Sequence, residues 1–394
     1  MSLSLADRKW IEQRARAAGF DLAGVAAVPA PADDQRFAAW IDAGRAGEME
    51  YLKRADGDGN LLRGDLRRSV PWAQSVIVCA VNYNADAPLS IAPAEKGSGW
   101  IARYAWSSKT GSGKADTGNG KTGELEAESK TPTEAADYHD ILKPQLEALE
   151  AQLKQRFGAA CKTLCYVDTG PVLERDYAAR AGIGWIGRNT CVMNQGQGSW
   201  LLLGVIITSL PIEQAAAGVP AVDRCGTCTR CIDACPTGAL LSDRTMDATR
   251  CIAYLTIEKK GSIPEELRVP MGRHVFGCDI CQDVCPWNSK APVSVTPRLP
   301  PRQELINPEL EWLASLKGLA FTRVFRGSPL ERTRRQTSRR KLLRRNIAIA
   351  MGNSGEPRFL ARLDAWAAAD DPVLAEAAAW AAARLRANAA ETCP

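Results

Sequence analysis

The hydrophobic positions of the first two hundred residues alternate between helical and strand-like spacing. Residues Leu5 to Ala18 carry apolar side chains three and four positions apart, which predicts a helix that ends at Gly19. Residues Ser75 to Tyr83 form a nearly continuous apolar run, which is typical of a strand buried on both faces. Further strands are predicted at residues 20–28, 162–167 and 200–208, and further helices at 37–43 and 137–157. This alternation predicts an α/β domain.

Residues 107–136 interrupt this pattern. The stretch consists mostly of Gly, Ser, Thr, Lys and Glu, and Leu125 is its single large apolar residue. Such a composition cannot bury a core, so we predict a disordered or poorly ordered surface insertion.

Helical spacing returns in the last hundred residues. The pattern predicts helices at residues 302–319, 342–351, 359–368 and 373–388. Stops at Gly352 and Gly355 and starts at Pro357 and Pro372 separate the last three. Their apolar stripes favour stacked, HEAT-like helix pairs, with a small helical bundle as the alternative.

The length of 394 residues suits two or three domains. We predict an α/β domain over residues 1–215, a cysteine-rich domain over 216–300, and a basic linker followed by a helical-repeat domain over 301–394. The longest apolar stretch, near residues 201–207, is too short to span a bilayer, and the beginning of the sequence does not resemble a signal peptide. We therefore expect a cytoplasmic monomer without membrane contact.

Eight of the 13 cysteines fall between residues 225 and 285 at spacings typical of iron–sulfur ligation. The first run reads C-x2-C-x2-C-x3-C-P, which is the bacterial ferredoxin pattern. In two-cluster ferredoxins the cysteine before proline binds the other cluster, so we predict two 4Fe–4S clusters with crossed ligands. The first cysteine set is Cys225, Cys228, Cys231 and Cys285, and the second is Cys235, Cys251, Cys278 and Cys281.

Structural zinc and disulfides are weaker interpretations of the same cysteines. Zinc sites do not require the C-x3-C-P element twice, and a cytosolic chain of this length does not need a disulfide framework. We interpret Cys79, Cys161, Cys165 and Cys191 as core thiols and Cys393 as part of a loose tail.

The glycines at positions 182, 184 and 187 match G-x-G-x-x-G. This match follows a helix-like stretch, and no acidic residue stands about twenty positions later, so it is not a dinucleotide fingerprint. Gly182 and Gly184 could let the backbone approach a large flat ligand, or could simply form a tight turn.

Positive charge concentrates between residues 323 and 345. This stretch has ten Lys or Arg and one Glu, although the whole chain carries a net charge of only +5. Such a run could be a solvated linker, but the scarcity of acidic partners favours RNA phosphate contacts. The candidate contacts are Arg339, Arg340, Lys341, Arg344 and Arg345.

Three segments carry a resemblance to the epoxyqueuosine reductase family: VDTGPVLER at 167–175, AGIGWIGRN at 181–189 and FGCDICQDVCPWN at 276–288. The resemblance covers nearly the whole chain, although residues 107–136 depart from it. It implies removal of the epoxide oxygen of epoxyqueuosine at the wobble base of tRNA. It also implies cobalamin, two 4Fe–4S clusters and an external electron donor of the flavodoxin or ferredoxin type.

The resemblance implies roles for single residues. Asp168 matches the proton donor, although an aspartate there could instead cap the next helix. To stay protonated near pH 7, such an acid needs burial, for example against an apolar ring. Arg175 would lie beside the corrin, or else form a surface salt bridge. The other predicted cofactor-binding residues are Tyr104, His139, Gly182, Gly184, Arg188 and Asn189.

The chain lacks the D-x-H-x-x-G signature of many corrinoid proteins, because Leu142 stands where the glycine is required. Cobalamin would therefore be held without a histidine supplied by that motif. Two alternatives stay open: a dehalogenase-like cobalamin reductase, which would carry an export signal, and a ferredoxin-like electron-transfer module.

Overall fold

A computed structural model of the chain describes residues 2–28, 35–110, 133–135, 137–294, 299–331 and 336–391. Most of the predicted insertion and Cys393 lie outside these residues. The helices are α1 Leu5–Ala18, α2 Gln35–Asp42, α3 Leu66–Ser69, α4 Tyr138–Phe157, α5 Glu174–Arg180, α6 Arg230–Asp233, α7 Ile252–Ile257, α8 Glu265–Arg268, α9 Ile280–Asp283, α10 Leu310–Ser315, α11 Gly318–Phe325, α12 Gln336–Ser354, α13 Leu360–Ala367 and α14 Pro372–Glu391. The strands are β1 Leu22–Ala27, β2 Ser75–Asn82, β3 Trp100–Ile101, β4 Ser108–Thr110, β5 Thr133–Ala135, β6 Thr163–Tyr166, β7 Trp185–Ile186, β8 Val192–Met193, β9 Leu201–Thr208 and β10 His274–Phe276.

The central sheet has the strand order β1-β2-β9-β6, and every neighbouring pair is antiparallel. All eight residues of β2 are buried, as the continuous apolar run predicts. Leu142, Leu146, Leu149 and Leu153 of α4 pack with α1 against one face. Tyr177 and the rest of α5 cover the other face. The N-terminal part is therefore a mixed α/β layer structure built on an antiparallel sheet.

The C-terminal helices share one hydrophobic core with the cysteine-rich region. Buried side chains of α12, α13 and α14 belong to the same cluster as Ile252, Leu255 and Phe276. The predicted helix at 302–319 is wrong, because the chain forms a short 3-10 turn at Gln303–Leu305 and then α10 and α11. Pro308 explains the break, since proline disfavours a helical residue before it and lacks the N–H that a helix interior requires.

Helix α12 is longer than predicted, because it begins at Gln336 and continues through Gly352 to Ser354. A Cβ at Gly352 would lie 2.7 Å from the Cβ of Ala381 on α14. This glycine therefore permits close helix packing and does not end the helix. None of the helices within the described ranges combines the length and apolar character needed to cross a bilayer.

The prediction that Arg345 binds tRNA is wrong, because its side chain is fully buried. Its Nη1 donates to the carbonyl oxygens of Lys259 (2.7 Å) and Gly261 (2.6 Å). Its Nη2 donates to the carbonyl oxygen of Leu255 at 2.6 Å and to Oδ1 of Asn346 at 2.8 Å. Burial lowers the pKa of Arg345 to about 10. Arg345 therefore fastens α12 to the end of α7 and is not available to phosphate.

We expect Arg345→Ala to lower the free energy of unfolding by about 3 kcal/mol or more, because several buried carbonyls lose their donor at once. Arg344→Ala is the matched control, because the side chain of Arg344 is only half-buried. We expect this substitution to change the free energy of unfolding by no more than about 0.5 kcal/mol. Denaturant unfolding followed by circular dichroism measures both. Equal effects of the two substitutions would contradict the structural role of Arg345.

Candidate active site

The thiols of the first predicted cysteine set act on one another electrostatically. Burial raises the pKa of Cys231 to about 11, and the charges of Cys285 and Cys225 add to it. Burial also raises the pKa of Cys285, with contributions from the charges of Cys225 and Cys228. Charge effects of this kind require short separations between the thiols. Cys285, on the loop after α9, therefore lies near the Cys225–Cys231 loop that precedes α6.

The second predicted set is grouped in the same way. Burial raises the pKa of Cys251, with the charge of Cys235 contributing. Burial raises the pKa of Cys278 too, and the charges of Cys251 and Cys235 act in the same direction. The pKa of Cys281 is raised by a hydrogen bond with Cys191, by burial, and by the charges of Cys191, Cys278 and Cys251.

These groupings are those of the crossed assignment, which stays a proposal. Within the described part of the chain, no group of three or more His, Cys, Asp or Glu is placed to hold one metal ion.

The two sets differ in their access to solvent. Cys228 of the first set is exposed, whereas every cysteine of the second set is partly buried. Cys251 and Cys278 pack against the core shared with the C-terminal helices. Cys191, predicted as a core thiol, lies against Cys281. No sequence spacing indicated that contact, because ninety positions separate the two residues.

Asp168 lies on the loop between β6 and α5 and is exposed. Its φ of 54° falls in the left-handed region, which is uncommon for a residue with a side chain. Two contacts hold it there: its N–H donates to Oε1 of Glu174 at 2.9 Å, and the hydroxyl of Tyr138 donates to its Oδ2 at 3.2 Å. The alternative that Asp168 caps α5 is wrong, because Leu173 is the N-cap residue.

Glu174 is a site residue that the sequence interpretation missed. Burial, and secondly the charge of Asp168, raise the pKa of Glu174 to about 8. The protein alone thus stabilises a neutral carboxyl at Glu174 near pH 7, while it leaves Asp168 exposed. The expected burial of Asp168 would have to come from a bound molecule.

Further polar groups lie around this loop. Nη1 of Arg175 donates to the carbonyl oxygen of Thr190 at 2.9 Å, and the Arg175 side chain is exposed. Burial and the charges of Glu258 and Asp168 raise the pKa of Tyr51 to about 12. Tyr51 was not predicted, because only the fold brings it near Asp168.

Aromatic side chains cluster around Tyr138, whose hydroxyl donates to Asp168. The ring of Tyr104 lies 6.2 Å from the ring of Tyr138 and 6.2 Å from that of Phe276. His139 stacks on Tyr138 at 4.0 Å, and its Nδ1 lies 2.6 Å from Oδ1 of Asp137. The predicted residues Tyr104 and His139 are therefore neighbours of the Asp168 loop.

The glycine turn is packed against the protein's own backbone. A Cβ at Gly182 would lie 2.9 Å from the carbonyl oxygen of Val219, and one at Gly184 would clash with the carbonyl oxygen of Met193. Gly182 also has a φ of 78°. A tight turn thus explains both glycines without a ligand, and their predicted cofactor role stays a prediction.

The next two predicted residues join this turn to the cysteine loops. Nη2 of Arg188 donates to the carbonyl oxygen of Gly226 at 3.0 Å. Asn189 is buried, and its Nδ2 donates to the carbonyl oxygen of Cys281 at 3.5 Å. Thr190 follows Asn189, and its carbonyl oxygen accepts a hydrogen bond from Arg175 on α5. This segment therefore joins the start of α5, next to the Asp168 loop, to the loops of both cysteine sets.

Three of the remaining basic candidates, Arg340, Lys341 and Arg344, have described side chains on α12 that are exposed or half-buried. Lys341 is exposed, and its Nζ lies 3.4 Å from Oδ2 of Asp371. The guanidinium of Arg340 lies 5.8 Å from the ring centre of Phe321. Arg344 is half-buried, and the side chain of Arg339 is not among those that the structure describes.

Comparison with known proteins gives matches along the chain. Residues 224–288 match the model of a 4Fe-4S double cluster binding domain, and residues 63–109 match the model of epoxyqueuosine reductase QueG, DUF1730. The epoxyqueuosine reductase of Xanthomonas campestris pv. campestris is 34% identical over 95% of this chain and 95% of its own. That of Escherichia coli K12 is 32% identical over 93% of this chain and 86% of its own.

Solved structures are similar to this fold as well. A crystal structure of epoxyqueuosine reductase with an epoxyqueuosine-modified tRNA-Tyr stem loop has a TM-score of 0.77 at 27% identity, covering 96% of this chain and 89% of that chain. The Bacillus subtilis epoxyqueuosine reductase, solved with its catalytic aspartate loop swung out of the active site, has a TM-score of 0.76 at 27% identity, covering 96% and 90%. With this fold, these cysteine sets and relatives of this coverage, the chain belongs to the epoxyqueuosine reductase family.

Proposed function

We propose that the protein reduces epoxyqueuosine to queuosine in tRNA. The observation that carries this proposal is the Asp168 loop, held by Tyr138 and Glu174 and connected through Thr190 and Asn189 to the second cysteine set. In this proposal an acid and an electron relay meet at one site. Relatives in the family are named for this activity, and one was solved with a modified tRNA stem loop.

The reaction needs two electrons and two protons, because the epoxide oxygen leaves as water and a carbon–carbon double bond forms. We assign one of these protons to the carboxyl of Asp168, which is exposed and adjacent to the aromatic side chains. Tyr138 and the Glu174 carboxyl orient it through hydrogen bonds to Oδ2 and to its backbone N–H. The Bacillus subtilis relative was solved with an aspartate-bearing catalytic loop swung out of its active site, which supports placing the acid on a loop.

The two cysteine sets would each hold a 4Fe–4S cluster, which supplies one electron at a time. Cobalamin, when bound, supplies a cobalt centre that can collect two such electrons for the substrate. The residues fit a cofactor held without a protein histidine: His139 is engaged with Asp137, and His274 is buried with its pKa lowered to about 4 by burial. Arg175, Tyr104 and Tyr138 are the residues that would line it.

Metal analysis and an activity assay together test this function. After anaerobic reconstitution we expect about eight irons per chain, from two four-iron clusters, together with cobalt. We also expect conversion of an epoxyqueuosine-containing anticodon stem loop to the queuosine form by the chemically reduced protein. Eight irons without cobalt and without conversion would instead indicate a simple electron-transfer protein.

We propose that α12 contributes to tRNA binding through its remaining cations. Neutralising Arg339, Arg340, Lys341 and Arg344 is expected to weaken tRNA binding and to flatten its salt dependence. Each lost phosphate contact should remove about 0.7 to 0.9 units of the log–log slope. Arg345 stays unchanged in this variant because it is structural. Fluorescence anisotropy at several salt concentrations measures the slope, and an unchanged slope would show that the basic stretch is only a linker.

The remaining organisation belongs to the same proposal. We propose HEAT-like stacking of α12, α13 and α14, a cytoplasmic monomer, and an external electron donor of the flavodoxin or ferredoxin type. The packing of all three helices in one core supports the stacking.

A further inference from the structure

The loop of the first cysteine set is open to solvent. Cys228 is exposed, and Val219 and Val222, just before the loop, are 78% and 73% exposed. Exposed apolar side chains of this kind beside a redox centre are suited to a protein contact.

A groove of about 680 Å³ adjoins this loop. Its lining joins segments that are distant in the sequence: Ile91, Arg230, Asp233, Cys285, Pro286 and Ser289. Ile91 is 48% exposed, so an apolar side chain stands at the rim. Because Cys285 belongs to the first set, anything seated in this groove lies next to a proposed cluster ligand.

The groove is lined by Arg230 and by the carboxylates of Asp233 and Asp283, and further cations lie in the flanking sequence. Arg224, Arg230 and Lys290 are exposed, and none of them has an ion-pair partner among the described residues. The carboxylates nearby already have partners. Asp223 pairs with Arg244, Oδ2 of Asp233 accepts from the hydroxyl of Thr229 at 2.7 Å, and Oδ2 of Asp283 accepts from the N–H and the hydroxyl of Ser90 at 2.8 and 2.6 Å. An acidic partner would therefore find unpaired cations here.

Solvent access distinguishes the two ends of the proposed relay. The segment at Arg188 and Asn189 touches loops of both sets, since Arg188 donates to the carbonyl oxygen of Gly226 and Asn189 to that of Cys281. Among the eight proposed ligands, Cys228 of the first set is the exposed one, so a protein donor would reach the relay at the first set.

We propose that the groove, with Arg224, Arg230 and Lys290 around it, is the docking surface for a small acidic protein that donates single electrons. This proposal rests on the proposed function for the presence of the clusters. In each encounter the donor is oxidised by one electron and the first cluster is reduced by one electron. No covalent bond forms or breaks.

A charge-reversal variant of the reconstituted holoenzyme tests the surface. Arg230→Glu/Lys290→Glu is mixed with an acidic FMN protein of the flavodoxin type in its fully reduced form, and cluster bleaching is followed by stopped flow. We expect the second-order rate constant to fall by about tenfold or more at low salt, and the difference to shrink at high salt. Lys9→Glu/Lys162→Glu, two exposed cations elsewhere, should react like the wild type.

A small reductant provides the second arm of the experiment. Photoreduced deazaflavin should bleach the clusters of every variant at the same rate, since it needs no docking surface. If the charge-reversal variant loses its clusters, Arg230→Gln/Lys290→Gln is tested in its place. Because this variant changes the charge less, we expect its second-order rate constant with the FMN protein to fall by about threefold.

Equal rates with the FMN protein in all variants would overturn the proposal. A loss of tRNA affinity without a change in the reduction rate would also overturn it and would assign the surface to tRNA. Failure of the proposed function looks different, because the wild type would then accept electrons from the FMN protein without converting the modified stem loop.

Discussion

Cys285→Ala is expected to destroy the cluster held by Cys225, Cys228 and Cys231 and to leave the other cluster intact. The cysteine before proline ligates the distant cluster in two-cluster ferredoxins. In this structure the charges of Cys225 and Cys228 contribute to the raised pKa of Cys285. Iron content should fall from about eight to about four per chain. Turnover supported by a protein donor should be lost, because the relay then has no exposed end.

Electron paramagnetic resonance of the reduced variant identifies the surviving cluster. Cys235→Ala should remove the opposite one, so the two variants should give different single-cluster spectra. Cys165→Ala is the control, because this thiol lies on β6 outside both sets and its loss should leave both clusters present. A Cys285→Ala protein that keeps the cluster of Cys225, Cys228 and Cys231 would refute the crossed ligation.

The local patterns of the sequence predicted much of this molecule. The cysteine spacing predicted a two-cluster region, and residues 224–288 match a 4Fe-4S double cluster binding domain. The apolar runs predicted β2, β9 and α1 nearly to the residue. These signals are strong because one motif or one continuous run contains them. The strand pairing was not predictable in this way, since antiparallel neighbours such as β2 and β9 are far apart in the chain.

The error at Arg345 has a physical cause. A count of cations treats every residue of a run alike, whereas a helix turns successive residues to different faces. Arg344 stays half-buried while Arg345 points into the core beside Asn346 and Ile347. Helical periodicity does not separate the two arginines, because Ile347 and Ala348 follow Arg344, and Ala348 and Ile349 follow Arg345, three and four positions later, and all three are buried.

Glu174 and Tyr51 were missed for a different reason. Glu174 lies six positions after Asp168, and only the left-handed turn at Asp168 brings its carboxyl to the Asp168 N–H. Tyr51 comes near from a separate 3-10 turn at Glu50–Leu52. Single-sequence patterns report such contacts poorly, because they depend on backbone conformations that most residues avoid.

Asp168→Asn is expected to slow deoxygenation by about two to four orders of magnitude, the usual contribution of one positioned acid. Asparagine keeps the size of the side chain, an oxygen that can accept from Tyr138, and the backbone N–H that donates to Glu174. Cluster content, cobalamin content and tRNA affinity should therefore survive, and only the proton should be missing.

The measurement is single-turnover deoxygenation of the modified stem loop by chemically reduced, fully loaded protein, because this assay removes electron supply as a variable. Asp176→Asn is the matched control: Asp176 is a partly exposed aspartate on α5 that pairs with Arg180 at 2.7 Å, and its loss should leave the rate within about twofold, as for most surface changes. Wild-type rates for Asp168→Asn would show that the proton comes from elsewhere.

Glu174 would then be the first residue to test, since its pKa of about 8 keeps a carboxylic acid protonated at neutral pH beside the same loop. Loss of activity in Glu174→Gln but not in Asp168→Asn would transfer the acid role from one carboxyl to the other.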